Sequence, residues 1–176
     1  MNTNYVFDIF SNFSKNLFFF IILFICINIE SSLKALTFFE QASPSILSII
    51  LYICVRKLSI NISNLMLFTL GILYDVLFAG NLGTSSLFFL LIKYMTQHIN
   101  LKHNNNNNNN NNKDWIYFTI IFISSFFIKF IFNIFLNMKI PDFSPILFHL
   151  GITLIIFPFI VVGIKIIYFI TKLIKN

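Results

Sequence analysis

The sequence predicts an all-α integral membrane protein with six transmembrane helices, and three observations lead to this class. The chain has 176 residues, of which 57% are hydrophobic and only 10% are charged, whereas soluble domains carry about 25% charged residues. The apolar residues fall into six runs, and the basic residues concentrate on alternate connections between them. A globule of this length cannot bury so much apolar surface. A soluble enzyme and a disordered chain are therefore both excluded.

Six apolar runs are candidates for crossing a bilayer, for which a helix needs about 20 mostly apolar residues. Each run is predicted to be a helix, because a membrane barrel would need alternating segments of about ten residues. All six belong to one polytopic domain, residues 1–176. The predicted spans are residues 15–29, 44–55, 60–79, 82–101, 115–136 and 145–167.

The first two runs need separate comment. Glu30 follows the first run without a small-residue cleavage pattern, so this run is predicted to remain as an anchor. The second run is short, since residues 44–55 reach only about 18 Å as a helix. It either extends backward through residues 36–39 or is a broken helix packed inside the bundle. Pro44 suits the first turn of this helix, where its missing N–H costs nothing.

The basic residues predict the orientation, because cytoplasmic connections of membrane proteins are rich in lysine and arginine. With the N-terminus inside, nine basic residues lie on the cytoplasmic side and two on the opposite side. The cytoplasmic set is Lys15, Arg56, Lys57, Lys93, Lys102, Lys113, Lys165, Lys172 and Lys175, and the opposite set is Lys34 and Lys139. Both termini are therefore predicted to be cytoplasmic. The net charge of +6 is a signal of topology and gives no indication of a nucleic-acid partner.

The longest cytoplasmic connection contains an unbroken asparagine tract, residues 104–112. It is predicted to be a repeat expansion in a solvated loop, and the alternative is a prion-like tract or a metal site with the nearby His98 and His103. Cys26 and Cys54 both lie in apolar runs. They are predicted to be packing residues, so neither a disulfide framework nor a metal site is expected. No cofactor is predicted.

Two ionisable residues, Asp75 and Lys129, lie inside predicted spans. Each charge costs on the order of 2.5–3.5 kcal/mol at the centre of a membrane helix. The two residues are predicted to lie at matching depths in the outer half, which leads to the hypothesis of an intramembrane ion pair. The alternative is that each side chain reaches separately to the outer headgroups.

No catalytic motif is visible, because the sequence contains no Walker A loop, no HExxH, no GxSxG and no paired intramembrane carboxylates. The protein is therefore predicted not to be an enzyme. Gly71, Gly80 and Gly83 are predicted to allow close helix packing and a tight turn, in preference to ligand contact. His149 is predicted to be a helix-end histidine bonded to a neighbouring carbonyl, in preference to a proton carrier.

The segment from Pro44 to Tyr94 resembles the core of the MreD family of rod shape-determining membrane proteins. The pattern is a proline-led helix, a G-x-L-x-D-x-L stretch and a following L-G turn. The residues that carry it are Pro44-Ser45-Ile46-Leu47, Gly71-Ile72-Leu73-Tyr74-Asp75-Val76-Leu77, Asn81-Leu82-Gly83, Leu87 and Tyr94. Pro44, Gly71, Asp75, Leu82 and Gly83 are thereby candidates for partner contact or for a structural motif. Lys129 has no counterpart in this pattern.

The resemblance implies a non-catalytic protein of the bacterial inner membrane that belongs to the cell-wall elongation complex. Such a protein acts with MreC and, through it, with MreB, RodA and a transpeptidase, to organise peptidoglycan synthesis and cell shape. The family is also similar in fold to the six-helix substrate-binding components of energy-coupling-factor transporters. The alternative function is therefore a substrate-binding membrane subunit for a small, vitamin-type molecule, with Asp75, Lys129 and Asn133 lining a pocket.

Overall fold

A computed structural model describes residues 3–36, 43–57, 62–103, 112–138 and 142–175. These ranges form six α-helices and contain no β-strand, which confirms the all-α class. The helices are α1 (Thr3–Lys34), α2 (Ile46–Lys57), α3 (Asn64–Leu77), α4 (Thr84–His103), α5 (Asn112–Asn137) and α6 (Phe143–Lys175). Most of the asparagine tract lies outside the described residues, and its last member, Asn112, begins α5.

Three of the helices are long and apolar enough to cross a bilayer. The apolar segments are Asn16–Lys34 of α1, Asp114–Asn137 of α5 and Phe143–Ile164 of α6. Each also carries large exposed apolar side chains, such as Phe18, Phe127 and Phe159. Exposed apolar faces of this extent are unusual for a soluble monomer. The three helices therefore indicate a membrane protein.

The first helix is longer than predicted, because it continues past residue 29 to Lys34. Leu23, Cys26, Ile27 and Glu30 are all buried. Their spacing of three and four residues places them on one face of α1. Glu30 is thus part of the helix and faces the bundle, where the sequence suggested the start of a connection.

The short second helix lies at the centre of the bundle, and eight of its residues are buried. These are Leu47, Ser48, Ile49, Leu51, Tyr52, Ile53, Cys54 and Val55. A backward extension of this helix is wrong, because residues 43–45 are not helical. The other alternative, a short helix packed inside the bundle, agrees with the structure.

The start of α2 is fixed by contacts with α6. The Nδ1 atom of His149 lies 2.6 Å from the carbonyl oxygen of Ser43. The backbone N–H of Ser45 donates to Oγ1 of Thr153 at 3.0 Å. These bonds are made by Ser43 and Ser45, which precede α2. Pro44 lies between them, two positions before the first helical residue, Ile46. Its predicted place in the first turn of the helix is therefore wrong. The predicted bond between His149 and a neighbouring carbonyl is confirmed.

Helices α3 and α4 form a hairpin with direct backbone contact. A Cβ atom at Gly71 would lie 2.3 Å from both Cα and N of Ser86, so glycine is required for this approach. Helix α3 ends with a bond from Gly80 N–H to the carbonyl of Asp75 at 2.8 Å. Ala79 adopts a positive φ of 50°, as is usual after the last helical residue. The predicted packing role of Gly71 is confirmed.

The last turns of α1, α3 and α5 lie beside the first turns of α2, α4 and α6, as the contacts of Glu30, Asp75 and Lys129 and the cavity that they adjoin show. We call this the carboxylate end, because Glu30 and Asp75 lie there, and we call the opposite end the arginine end. At the arginine end, Nε of Arg56 lies 3.4 Å from Oδ1 of Asp114, and Nζ of Lys57 lies 3.6 Å from Oδ2. These ion pairs connect α2 to α5.

Candidate functional site

Asp75, near the end of α3, caps the first turn of α4. Its side chain belongs to a residue only 2% exposed. Its Oδ2 atom accepts the N–H of Gly83 at 2.7 Å, and both carboxylate oxygens lie 3.2 Å from the N–H of Ser85. The hydroxyl of Thr84 donates to Oδ1 at 3.3 Å. The first N–H groups of a helix have no hydrogen-bond partner inside it and favour a nearby negative charge. Asp75 of α3 supplies both the acceptor oxygens and the negative charge to the start of α4.

Besides Asp75, the candidates for partner contact or a structural motif are Pro44, Gly71, Leu82 and Gly83, and Leu82 is the one among them with an exposed side chain. Gly83 has a φ of +91°, a conformation that glycine adopts without steric cost, and this conformation presents its N–H to Asp75. Pro44 and Gly71 are buried. Leu82 is 68% exposed. Among these candidates, Leu82 is therefore the residue best placed to meet another molecule.

Glu30 repeats the capping arrangement at the start of α2. The residue is 0% exposed. Its Oε1 atom accepts the hydroxyl of Tyr74 at 2.6 Å, and its Oε2 atom accepts the N–H of Leu47 at 3.4 Å. Sequence reasoning missed this carboxylate. The available signal was its position three and four residues after Ile27 and Cys26, in register with the apolar face of α1.

Lys129 of α5 is connected to Asp75 by hydrogen bonds that both residues make with Ser85. Its Nζ atom donates to Oγ of Ser85 at 2.8 Å, while the N–H of Ser85 binds Asp75. Nζ also lies 5.6 Å from the ring centre of Tyr74 and 5.3 Å from that of Phe88, within cation–π range.

The direct contact that the ion-pair hypothesis requires is not formed. Within the described ranges, nitrogen–oxygen ion pairs of 4.0 Å or less occur only at Asp114. Asp75 and Lys129 are brought to one place, as their matching depths predicted. They are joined there by the side chain and the backbone of Ser85.

A cavity of about 360 Å³ lies at the carboxylate end, between the α3–α4 turn, α5 and α6. Helix α5 contributes residues at a spacing of three and four, so one face of this helix forms a wall. Across the cavity, Nδ2 of Asn81 donates to Oδ1 of Asn133 at 3.2 Å. The lining residues are Tyr74, Asp75, Phe78, Ala79, Gly80, Asn81, Thr84, Ser85, Phe126, Lys129, Phe130, Asn133, Asn137 and Ile146. They include the three residues that the sequence placed in a pocket.

Cys26 and Cys54 are free thiols in the core. Within the residues described, no group of three histidine, cysteine, aspartate or glutamate side chains is arranged to hold a metal ion.

Replacing Tyr74 with phenylalanine is expected to lower the free energy of unfolding by about 1–3 kcal/mol, because it leaves the buried carboxylate of Glu30 without its shortest hydrogen bond. Chemical denaturation of the detergent-solubilised protein, followed by circular dichroism, measures this change. Tyr94→Phe is the matched control, since the Tyr94 hydroxyl binds the exposed side chain of Asn64. Equal losses in the two variants would contradict the role of Tyr74.

Comparisons of the chain with protein-family models, with curated proteins and with solved structures find no match.

Proposed function

We propose that this protein is a non-catalytic component of the bacterial cell-wall elongation complex, where it organises peptidoglycan synthesis together with an MreC-like partner. The observation that carries the proposal is the α3–α4 hairpin. Gly71 allows the backbone contact, Asp75 caps α4, and Gly83 presents its N–H to Asp75. The motif residues thus act as one unit, which supports the family resemblance over a chance match of isolated positions.

The proposal includes six spans with both termini in the cytoplasm of a bacterial inner-membrane protein. The distribution of basic residues supports this orientation and makes the arginine end cytoplasmic. Helices α2 and α3 have 12 and 14 residues, or about 18 and 21 Å, against a hydrocarbon core of about 30 Å. Short helices with non-helical ends are tolerated at membrane depth where protein surrounds them, and α2 is almost wholly buried.

The surface proposed for partner contact lies beside the capped turn. Val76, Leu77 and Leu82 are all exposed apolar residues at the carboxylate end. The rigid hairpin holds them in a fixed arrangement, which lowers the entropy lost on binding. This surface would face the outer side of the membrane, where the extracytoplasmic part of a partner could reach it.

Affinity purification of the full-length protein from native membranes tests the proposal. We expect an MreC-like protein to be recovered, and we expect Leu82→Gln to reduce its recovery several-fold. Leu101→Gln is the matched control, because Leu101 is equally apolar and exposed but lies at the arginine end. Failure to recover any MreC-like protein would overturn the proposal, and unchanged recovery with Leu82→Gln would exclude this contact surface.

A second candidate is a substrate-binding subunit of a small-molecule transporter, and the cavity at the carboxylate end favours it. Asp75, Lys129 and Asn133 all line this cavity. Against it, the outer face of α1 carries the bulky residues Leu17 and Phe18, where docking of a transporter partner would need small side chains. Recovery of transporter ATPases in the same purification would support this second function.

A further inference from the structure

We propose that the cavity at the carboxylate end binds a small, electrically neutral molecule that carries a carboxamide group on an apolar ring. This site goes beyond the proposed role in cell-wall elongation and does not depend on it. Three observations carry the inference: the opposite charges on the cavity wall, the free amide groups of two asparagines, and the aromatic side chains beside them.

The cavity wall carries one charge of each sign. Asp75 and Lys129 both line it, and both already have hydrogen-bond partners in the bundle. An anionic ligand would be repelled by Asp75, and Glu30 adds a second buried carboxylate at this end. A cationic ligand would be repelled by Lys129 and by Lys34, whose Nζ lies 5.1 Å from the ring centre of the lining residue Phe78. Because juxtaposed like charges are unfavourable, a neutral ligand is the best match.

Asn81 and Asn133 leave an acceptor and a donor group for such a ligand. Nδ2 of Asn81 donates to Oδ1 of Asn133 at 3.2 Å. Among the described residues, Oδ1 of Asn81 and Nδ2 of Asn133 have no hydrogen-bond partner. Both atoms are accessible, because every inaccessible side-chain nitrogen or oxygen of the described, non-exposed residues has a partner. A carboxamide has both a carbonyl and an NH2 group, so it would accept from Asn133 and donate to Asn81.

The walls of the cavity define the rest of the ligand. Phe78, Phe126 and Phe130 provide apolar surface, and Asn137 adds a further amide group. The α5 members of the lining are spaced by three and four residues, so aromatic and amide groups share one face of this helix. The volume of about 360 Å³ lies at the lower end of the range of about 300–1,000 Å³ for small-molecule sites. The expected ligand is thus a single ring with an amide group.

Four ring compounds of nearly equal size test this proposal. Benzamide carries the expected group, acetophenone has a methyl in place of its NH2, benzoate is negatively charged, and benzamidine is positively charged at neutral pH. Isothermal titration calorimetry on the full-length, detergent-solubilised protein, with empty micelles as the reference, is expected to show benzamide binding most tightly. The expected preference over each other compound is about fivefold or more, as the loss of one neutral hydrogen bond implies.

Two variants connect this preference to the asparagines. Asn133→Leu is expected to weaken benzamide and acetophenone alike, because both carbonyl groups lose their donor. Asn81→Ala is expected to weaken benzamide several-fold and to leave acetophenone unchanged, because only the NH2 group loses its acceptor. Asn28→Leu is the matched control, since Asn28 is an exposed asparagine of α1 that bonds within its own helix, and it should preserve the fivefold preference.

Tightest binding of benzoate or benzamidine would assign the cavity to a charged ligand and overturn the proposal. Equal binding of benzamide and acetophenone, or no binding of any of the four compounds, would overturn it as well. A preference for benzamide that is unchanged in Asn81→Ala would place the ligand elsewhere. Because these measurements involve no partner protein, their failure would leave the proposal on cell-wall elongation standing.

Discussion

Replacing Asp75 with alanine is expected to lower the free energy of unfolding by about 3–5 kcal/mol, the loss typical of breaking a buried charged network. The substitution leaves the N–H groups of Gly83 and Ser85 without their acceptor. It also removes the nearby negative charge that Lys129 meets through Ser85. A buried donor without a partner costs its full desolvation energy. The start of α4 and the packing of α5 against it are therefore both affected.

Denaturation of the detergent-solubilised protein, followed by circular dichroism, measures this loss. Asp142→Ala is the matched control, because Asp142 is an exposed aspartate at the same end of the bundle, and a surface change of this kind is expected to stay within about 0.5 kcal/mol. Asp75→Asn should give an intermediate loss, since one acceptor oxygen remains. If Asp75→Ala and Asp142→Ala unfold at the same denaturant concentration, the capping role is refuted.

Replacing Gly71 with alanine is expected to cost about 3 kcal/mol or more, although it adds a single methyl group. Overpacking in a core usually costs about 1–3 kcal/mol. Here the added Cβ would lie 2.3 Å from the backbone of Ser86, so a change of side-chain rotamer cannot relieve the contact. Helices α3 and α4 must move apart instead, which also lengthens the bonds between Asp75 and the start of α4.

Gly151→Ala is the matched control for this change, because nothing lies within 4 Å of a Cβ at that position of α6. Alanine is favoured over glycine inside a helix by about 0.5–1 kcal/mol, so this variant is expected to be slightly more stable than the unmodified protein. The same unfolding measurement compares the two variants. A Gly71→Ala protein as stable as Gly151→Ala would mean that the α3–α4 contact is looser than described.

The sequence was sufficient to predict features that depend on local composition. Apolar runs and breaks predicted the all-α class and the six helices found in the described ranges, and the Gly71 segment predicted close packing. The sequence alone did not predict contacts between distant parts of the chain. The start of α2 is set by a bond between Ser45 and Thr153, which are 108 residues apart. Periodicity within either segment carries no information about this contact.

The candidate site was predicted in part for the same reason. Position along each span was enough to place Asp75 and Lys129 at one depth. It could not give the direction of each side chain, so the intervening Ser85 was not foreseen. Glu30 lies just beyond the predicted first span, residues 15–29, and its buried carboxylate is bound by Tyr74 of a different helix. The position of Ser85 and the burial of Glu30 both depend on contacts between different helices, which a pattern within one segment does not show.

The two caps, Glu30 on α2 and Asp75 on α4, bear on how this chain would enter a membrane. In both cases, the carboxylate sits near the end of one helix and its N–H partners start the next. A charge and the helix start that neutralises it therefore lie on the same hairpin. In each hairpin, the N–H groups of the second helix compensate the carboxylate charge of the first. The free energy of inserting a helix into the membrane would therefore be lower for the pairs α1–α2 and α3–α4 than for each helix alone.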